Sequence, residues 1–218
     1  MHQHYRLKEN NSLKLWERWV IANTIAQSIG WFVAAHLSQT IDKFDIENLY
    51  PILLLIGTLE GLLLGFAQYL VLRRYIQKAN YWILFTTVGV LVSWFMGLTV
   101  SAVIGLFYAA NLHQKITTLI NEIALLGAAI GIVIGCAQWL ILKAVSKQAI
   151  WWVFTNALAF SLGLVIAFIG AGIDLSPGLN IHTSLIAVAT GGVIGIAISS
   201  ITGIVLVWLL KPRLRHRY

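Results

Sequence analysis

Glu60 is the residue of this chain whose type and place most invite chemistry. It is the one clear charge well inside an otherwise apolar run from Pro51 to Leu72. A carboxyl group in such a setting is costly to bury, so it marks a proton or cation site by default. Nine residues past Pro51, it falls about 13 Å along a helix, near the middle of a bilayer-length segment. A neutral glutamic acid hydrogen-bonded to a nearby carbonyl or hydroxyl is the plainer alternative. No Lys or Arg within the same apolar stretches is at hand to pair with it.

A second set of polar residues has regular spacing. Asn23, Thr86 and Asn156 each follow a Trp by four positions, while Gln68 and Gln138 each precede a basic residue by five. On helices, all five lie about 6 to 8 Å from one end and share one depth. Interhelical hydrogen bonding that fixes register is the simpler reading; a polar constriction or headgroup-binding ring is the sharper one.

Other chemistry finds little support. His36, His113 and His182 fall near the opposite ends of their helices, without a close pair such as H-x-x-x-H, so solvated histidines are expected and no metal site. Asn121 and Glu122 look like a solvated helix entrance. There is no G-x-S-x-G elbow, phosphate-binding loop, H-E-x-x-H or nucleophile beside a base, so no enzyme is expected. Cys136 is the single cysteine and excludes an intramolecular disulfide.

The elements that must position Glu60 and the polar layer recur three times. Gly57, Gly61, Gly65, Gln68 and Arg73 match Gly127, Gly131, Gly135, Gln138 and Lys143 at an offset of 70, and Gly195, Ser199, Gly203, Leu206 and Lys211 follow 68 positions later. Each such helix is preceded by a Trp-led one, opening at Trp19, Trp82 and Trp152. The repeats run approximately over 16–73, 82–143 and 151–211. Glu60 breaks the pattern, since its counterparts are Ile130 and Ile198.

Composition sets the solvent. With 59% hydrophobic residues and a mean hydropathy of +0.82, the chain has too little polar surface to cover a soluble sphere. A span needs about 20 apolar residues, and six stretches qualify: Trp16 to Leu37, Pro51 to Leu72, Trp82 to Ala109, Leu119 to Leu142, Trp151 to Ile173 and Ser184 to Leu210.

Of the 15 basic residues, all but Lys43 and Lys115 fall in the terminal segments or the two short turns. The opposite loops carry Asp42, Asp45, Glu47 and Asp174. This asymmetry places both termini in the cytoplasm. The net charge of +7 is thereby explained without nucleic acid, and the tail Lys211 to Tyr218 is expected to meet anionic headgroups. The N-terminal segment lacks the order of a cleavable signal and is expected to remain. Seven Trp near the basic ends read as an interfacial belt. Trp31 and Trp94, twelve residues farther along, are expected to pack against lipid or a neighbouring helix, with a ligand pocket as the alternative.

Small-residue stripes explain how such helices associate, because lipid supplies no hydrophobic drive between spans. Gly57, Gly61 and Gly65 form one groove; Gly127, Gly131 and Gly135 form a second; Gly195, Ser199 and Gly203 form a third. If each works alike, the helices adopt a pseudo-threefold arrangement with the even-numbered ones as an inner ring.

The pattern G-x-x-x-G-x-x-Q-[Trp/Tyr]-Leu, present as GLLLGFAQYL and GIVIGCAQWL, resembles repeats in uncharacterised multi-pass membrane proteins of bacteria, notably cyanobacteria. The resemblance covers nearly the whole chain. It implies a bacterial inner or thylakoid membrane and no particular activity.

The expectation is a single all-α integral membrane domain over 1–218: six transmembrane helices, as three parallel-repeat αα-hairpins in a pseudo-threefold bundle. The favoured function is a non-catalytic module that binds lipid, an apolar small molecule or a membrane-complex partner. No cofactor is required, although a bound lipid or pigment is compatible. The competing function is a small transporter or channel that uses Glu60.

Overall fold

The apolar runs form six helices in the computed structural model: α1 His2–Ile41, α2 Ile46–Leu72, α3 Asn80–Ala110, α4 Ile116–Leu142, α5 Ile150–Ala171 and α6 Ile181–Arg215. The structure describes residues 2–41, 46–110, 116–171 and 181–215, with side chains over 11–36, 51–97 apart from 53, 118–170 and 181–211. Arg6, Lys8, Asp42, Lys43, Asp45, Glu47, His113, Lys115, Asp174 and the tail beyond Lys211 lie outside the described side chains.

Helices α2 to α6 are long and apolar enough to cross a bilayer, which makes this an integral membrane protein. Helix α1 is not among the five. Its segment 11–36 carries Lys14, Glu17, Arg18, Asn23, Thr24, Gln27 and Ser28, so the span expected from Trp16 to Leu37 is more polar than the rest. Lys14, Glu17 and Arg18 are exposed at its start, whereas Asn23, Thr24 and Gln27 lie on the face that α6 covers, a contact that runs from Trp16 beside Ser200 and Gly203 to His36 beside Ser184.

Each helix touches its neighbours in the chain, and α6 touches α1, so the helices close into one ring. The closest-packed pairs are α1 with α6, α4 with α5 and α2 with α3. Among the described residues no two even-numbered helices come into backbone contact, which corrects the inner ring expected for them. Their glycine stripes turn sideways instead, each toward the odd-numbered helix that follows around the ring.

The grooves show why glycine is needed. A Cβ on Gly61 would lie 2.7 Å from the Thr87 Cα, one on Gly135 2.9 Å from the Val153 Cα, and one on Gly195 2.6 Å from the Thr24 Cα. No side chain fits where a neighbouring backbone already occupies that distance. Gly57 and Gly65 abut Trp94 and Ile83, while Gly127 and Gly131 abut Ser161 and Asn156. Gly203 abuts Trp16 and Trp19, and Gly191, not anticipated from sequence, extends the third groove against Gln27 and Trp31. Ser199 is fully buried and turns its hydroxyl to the Gly195 carbonyl.

The turns after α2 and α4 are built alike. Tyr75 and Ile76 donate backbone N–H groups to the Leu72 carbonyl at 2.7 and 3.0 Å, as Val145 and Ser146 do to Leu142 at 2.8 and 2.9 Å. Exposed Lys14, Arg18, Arg73, Arg74, Lys78, Lys143, Lys147 and Lys211 gather at this basic end. Just inside it the bundle is solid, with Leu72, Leu142 and Leu210 each 0% exposed. Toward the other end it is hollow.

Candidate functional site

Between the solid end and the hollow lies a triangle of indoles. Trp19, Trp82 and Trp152 come from α1, α3 and α5, and their ring centroids are 6.4, 5.8 and 6.0 Å apart, each pair edge to face. Such pairs add about 0.5 to 1.5 kcal/mol each beyond area burial. All three are at most 1% exposed. They therefore leave the interfacial belt expected from sequence, whereas Trp151 and Trp208, at 56% and 42% exposed, fit it.

Burial of three indoles requires three acceptors for their N–H groups. Trp82 donates to Gln68 Oε1 at 2.7 Å, Trp152 to Gln138 Oε1 at 2.8 Å, and Trp19 to Thr202 Oγ1 at 3.0 Å. Thr202 was not legible as a partner. The third repeat has Leu206 at the glutamine position, and the hydroxyl one turn earlier takes over the acceptor role. The signal available was its place on the same helical face, four residues before Leu206.

Four of the five polar-layer residues are joined directly. Gln68 Nε2 donates to Asn23 Oδ1 at 2.8 Å, and Gln138 Nε2 donates to Gln68 Oε1 and Thr86 Oγ1 at 3.0 Å each. Asn156 stands at the layer's edge, its amide donated to the Trp152 carbonyl at 2.8 Å, as Asn23 donates to that of Trp19 at 2.7 Å. The gap left among these residues measures about 10 Å³. That is room for about one water and not for a hydrated ion.

Beyond this layer lies a cavity of about 620 Å³ to which all six helices contribute. Its size falls within the range of about 300 to 1,000 Å³ of small-molecule sites. Ile130, Ile134, Phe160, Leu164 and Ala167 make one side apolar, while Gln27, Trp31, Glu60, Ser93 and Trp94 line the other. Both Trp31 and Trp94 thus belong to the cavity.

Among the described residues Glu60 is the one acidic or basic side chain that lines the cavity, and its repeat counterparts Ile130 and Ile198 also line the space. Its Oε2 accepts the Trp94 indole N–H at 2.9 Å. Across the α1–α2 contact stands Gly30, where a Cβ would be 3.6 Å from Glu60 Cγ, so at that position α1 sets only backbone against the acid's stem. One turn along α1 from Gly30, Gln27 is 7% exposed. Gln27 lines the cavity, and its carboxamide has no hydrogen-bond partner among the described residues. Sequence reasoning passed over Gln27, although it lies four residues past Asn23 and shares its face.

The remaining candidates stand apart. Nδ1 of His36 is 2.8 Å from the Phe32 carbonyl, and its Nε2 is 3.5 Å from the Ser184 hydroxyl. Cys136 is exposed on the outer surface. Among the described residues no three His, Cys, Asp or Glu side chains are grouped to hold a metal. No protein-family model, curated protein or solved structure matches this chain.

Proposed function

We propose that this protein is a non-catalytic membrane receptor or carrier for an apolar small molecule, held in the central cavity. The observation that carries this reading is the cavity itself: about 620 Å³, mostly apolar, walled by six helices and separated from the basic end by the polar layer and the indole triangle. A lipid-binding or complex-forming module would instead present its specific surface outward, and among the described residues the polar wall at Gln27, Glu60 and Ser93 lines the cavity.

In this reading α1 also spans the bilayer, which gives six spans, and three repeats stand in pseudo-threefold order about the cavity axis. Support comes from the lengthwise pairing of α1 with α6 and from three glycine grooves used in the same manner. The basic end faces the cytoplasm with both termini and contacts anionic lipid headgroups. A bacterial inner or thylakoid membrane is the proposed location.

The test is purification in a mild detergent followed by mass spectrometry of bound small molecules. A compound should co-purify with the native chain and be lost from Gly97→Trp. Gly97 lines the cavity, and a Cβ there meets nothing within 4 Å, so a side chain at this position starts into open space. Equal retention by both proteins would remove the cavity as the binding site.

Transport is a second reading, favoured by Glu60 inside a cavity that is closed at one end. It requires the layer at Gln68 and Gln138 to open. Proton or cation flux in liposomes that falls on Glu60→Gln would support it, and unchanged flux would remove Glu60 from such a mechanism.

A further inference from the structure

We infer that the molecule taken by the cavity is a lipophilic amine bound as its ammonium ion, with N–H groups accepted by Glu60 and Gln27. The inference rests on the cavity's being a small-molecule site, and adds its charge and shape. A carboxylate buried away from water needs a counter-charge, and among the described residues neither Lys nor Arg lines this wall. The described basic side chains are exposed at the basic end. A cationic ligand supplies what the protein withholds.

The polar atoms on the wall fit a donor. Trp94 satisfies only Oε2 of Glu60, and Oε1 has no protein donor among the described residues. Gln27 lies about 4.5 Å along α1 from Gly30, which itself faces the Glu60 stem. Its carboxamide oxygen is a second acceptor without a partner among the described residues. Charge-assisted bonds from N–H to such oxygens are about twice as strong as neutral ones. The indoles of Trp31 and Trp94 add faces that attract cations. Opposite them, Ile130, Ile134 and Leu164 suit a hydrocarbon tail.

The experiment uses the full chain in lipid nanodiscs and titration calorimetry with three probes of one shape: 4-phenylbutylamine, 4-phenylbutanol and 4-phenylbutyrate. Gly97→Trp nanodiscs supply the baseline for partition into lipid. The amine should bind at least about tenfold more tightly than the alcohol, with the carboxylate weakest. Glu60→Gln should erase the preference for amine over alcohol, and Gln27→Leu should weaken amine binding several-fold more than alcohol binding. Glu60→Asp, which keeps the charge, should retain part of the preference and guards against a folding defect in Glu60→Gln. Equal binding of amine and alcohol above the Gly97→Trp baseline would overturn the ammonium inference and leave the cavity reading standing. No binding of any probe above that baseline would overturn both.

Discussion

Trp94 donates its indole N–H to Glu60 Oε2 at 2.9 Å while its ring lies across Gly57, where a Cβ would come within 2.7 Å. The acid, its donor and the glycine that admits the ring belong to one joint between α2 and α3. Removing the donor alone leaves a buried acceptor short of a partner, which costs about 1 to 3 kcal/mol, whereas removing both partners costs less. Trp94→Phe should therefore lower the unfolding midpoint in denaturing detergent, and adding Glu60→Leu should recover part of the loss. A double variant less stable than Trp94→Phe would show that this bond does not carry the stability of the joint.

The glycine grooves make a contrast within one residue type. Gly61→Leu and Gly135→Leu force side chains into neighbouring backbones and should each destabilise by about 1 to 3 kcal/mol. Gly97→Ala, where a Cβ meets nothing within 4 Å, should be neutral or slightly stabilising. Thermal inactivation followed by size-exclusion chromatography gives the order, and equal losses at all three sites would contradict the packing described.

Unequal replacements are also expected in the polar layer. Gln138 accepts from Trp152 and donates to Gln68 and Thr86, whereas Thr202 accepts from Trp19 and donates to the Ile198 carbonyl within its own helix. Gln138→Leu should be the more costly change. Interhelical bonds in membranes are worth about 0.6 to 2 kcal/mol each, so its loss should exceed that of Thr202→Val by about 1 kcal/mol. Chemical unfolding of the two variants measures the difference.

Single cysteines report the course of the chain, in a Cys136→Ser background. Cysteines at Leu13, Gln77 and Gln148, all exposed near the basic end, should react with an impermeant maleimide from one side of sealed vesicles. Labelling of position 13 from the side opposite to 77 and 148 would mean that α1 does not cross with the others.

Much of this architecture was legible because membrane solvation and close packing leave periodic marks. Gly57, Gly61 and Gly65 gave the groove and its two repeats, and Gln68 and Gln138 gave the depth of the polar layer. What could not be read was direction around the ring. A stripe of glycines says that a backbone approaches, without saying which helix supplies it, so the even helices were placed at the centre. Trp19, Trp82 and Trp152 went to the interface by a related gap. An indole at a helix end is an anchor unless its N–H has a protein acceptor, and Thr202 could not be matched to Trp19 across 183 residues of sequence. Glu60 stood out by charge, while Gln27 did not, because an amide in a helix next to Asn23 looks like more of the same layer.

The pairing of α6 with α1 has a consequence for biosynthesis. Asn23, Gln27 and Thr24 lie on α1, and the glycines that cover this face, Gly191 and Gly195, follow only with α6, after four intervening helices have been made. During elongation the most polar stave of the barrel must wait without its mate, shielded by the insertion machinery or by the growing α2. Only when α6 has been made can the wall be sealed, so a nascent chain stalled before α6 carries an open seam along α1.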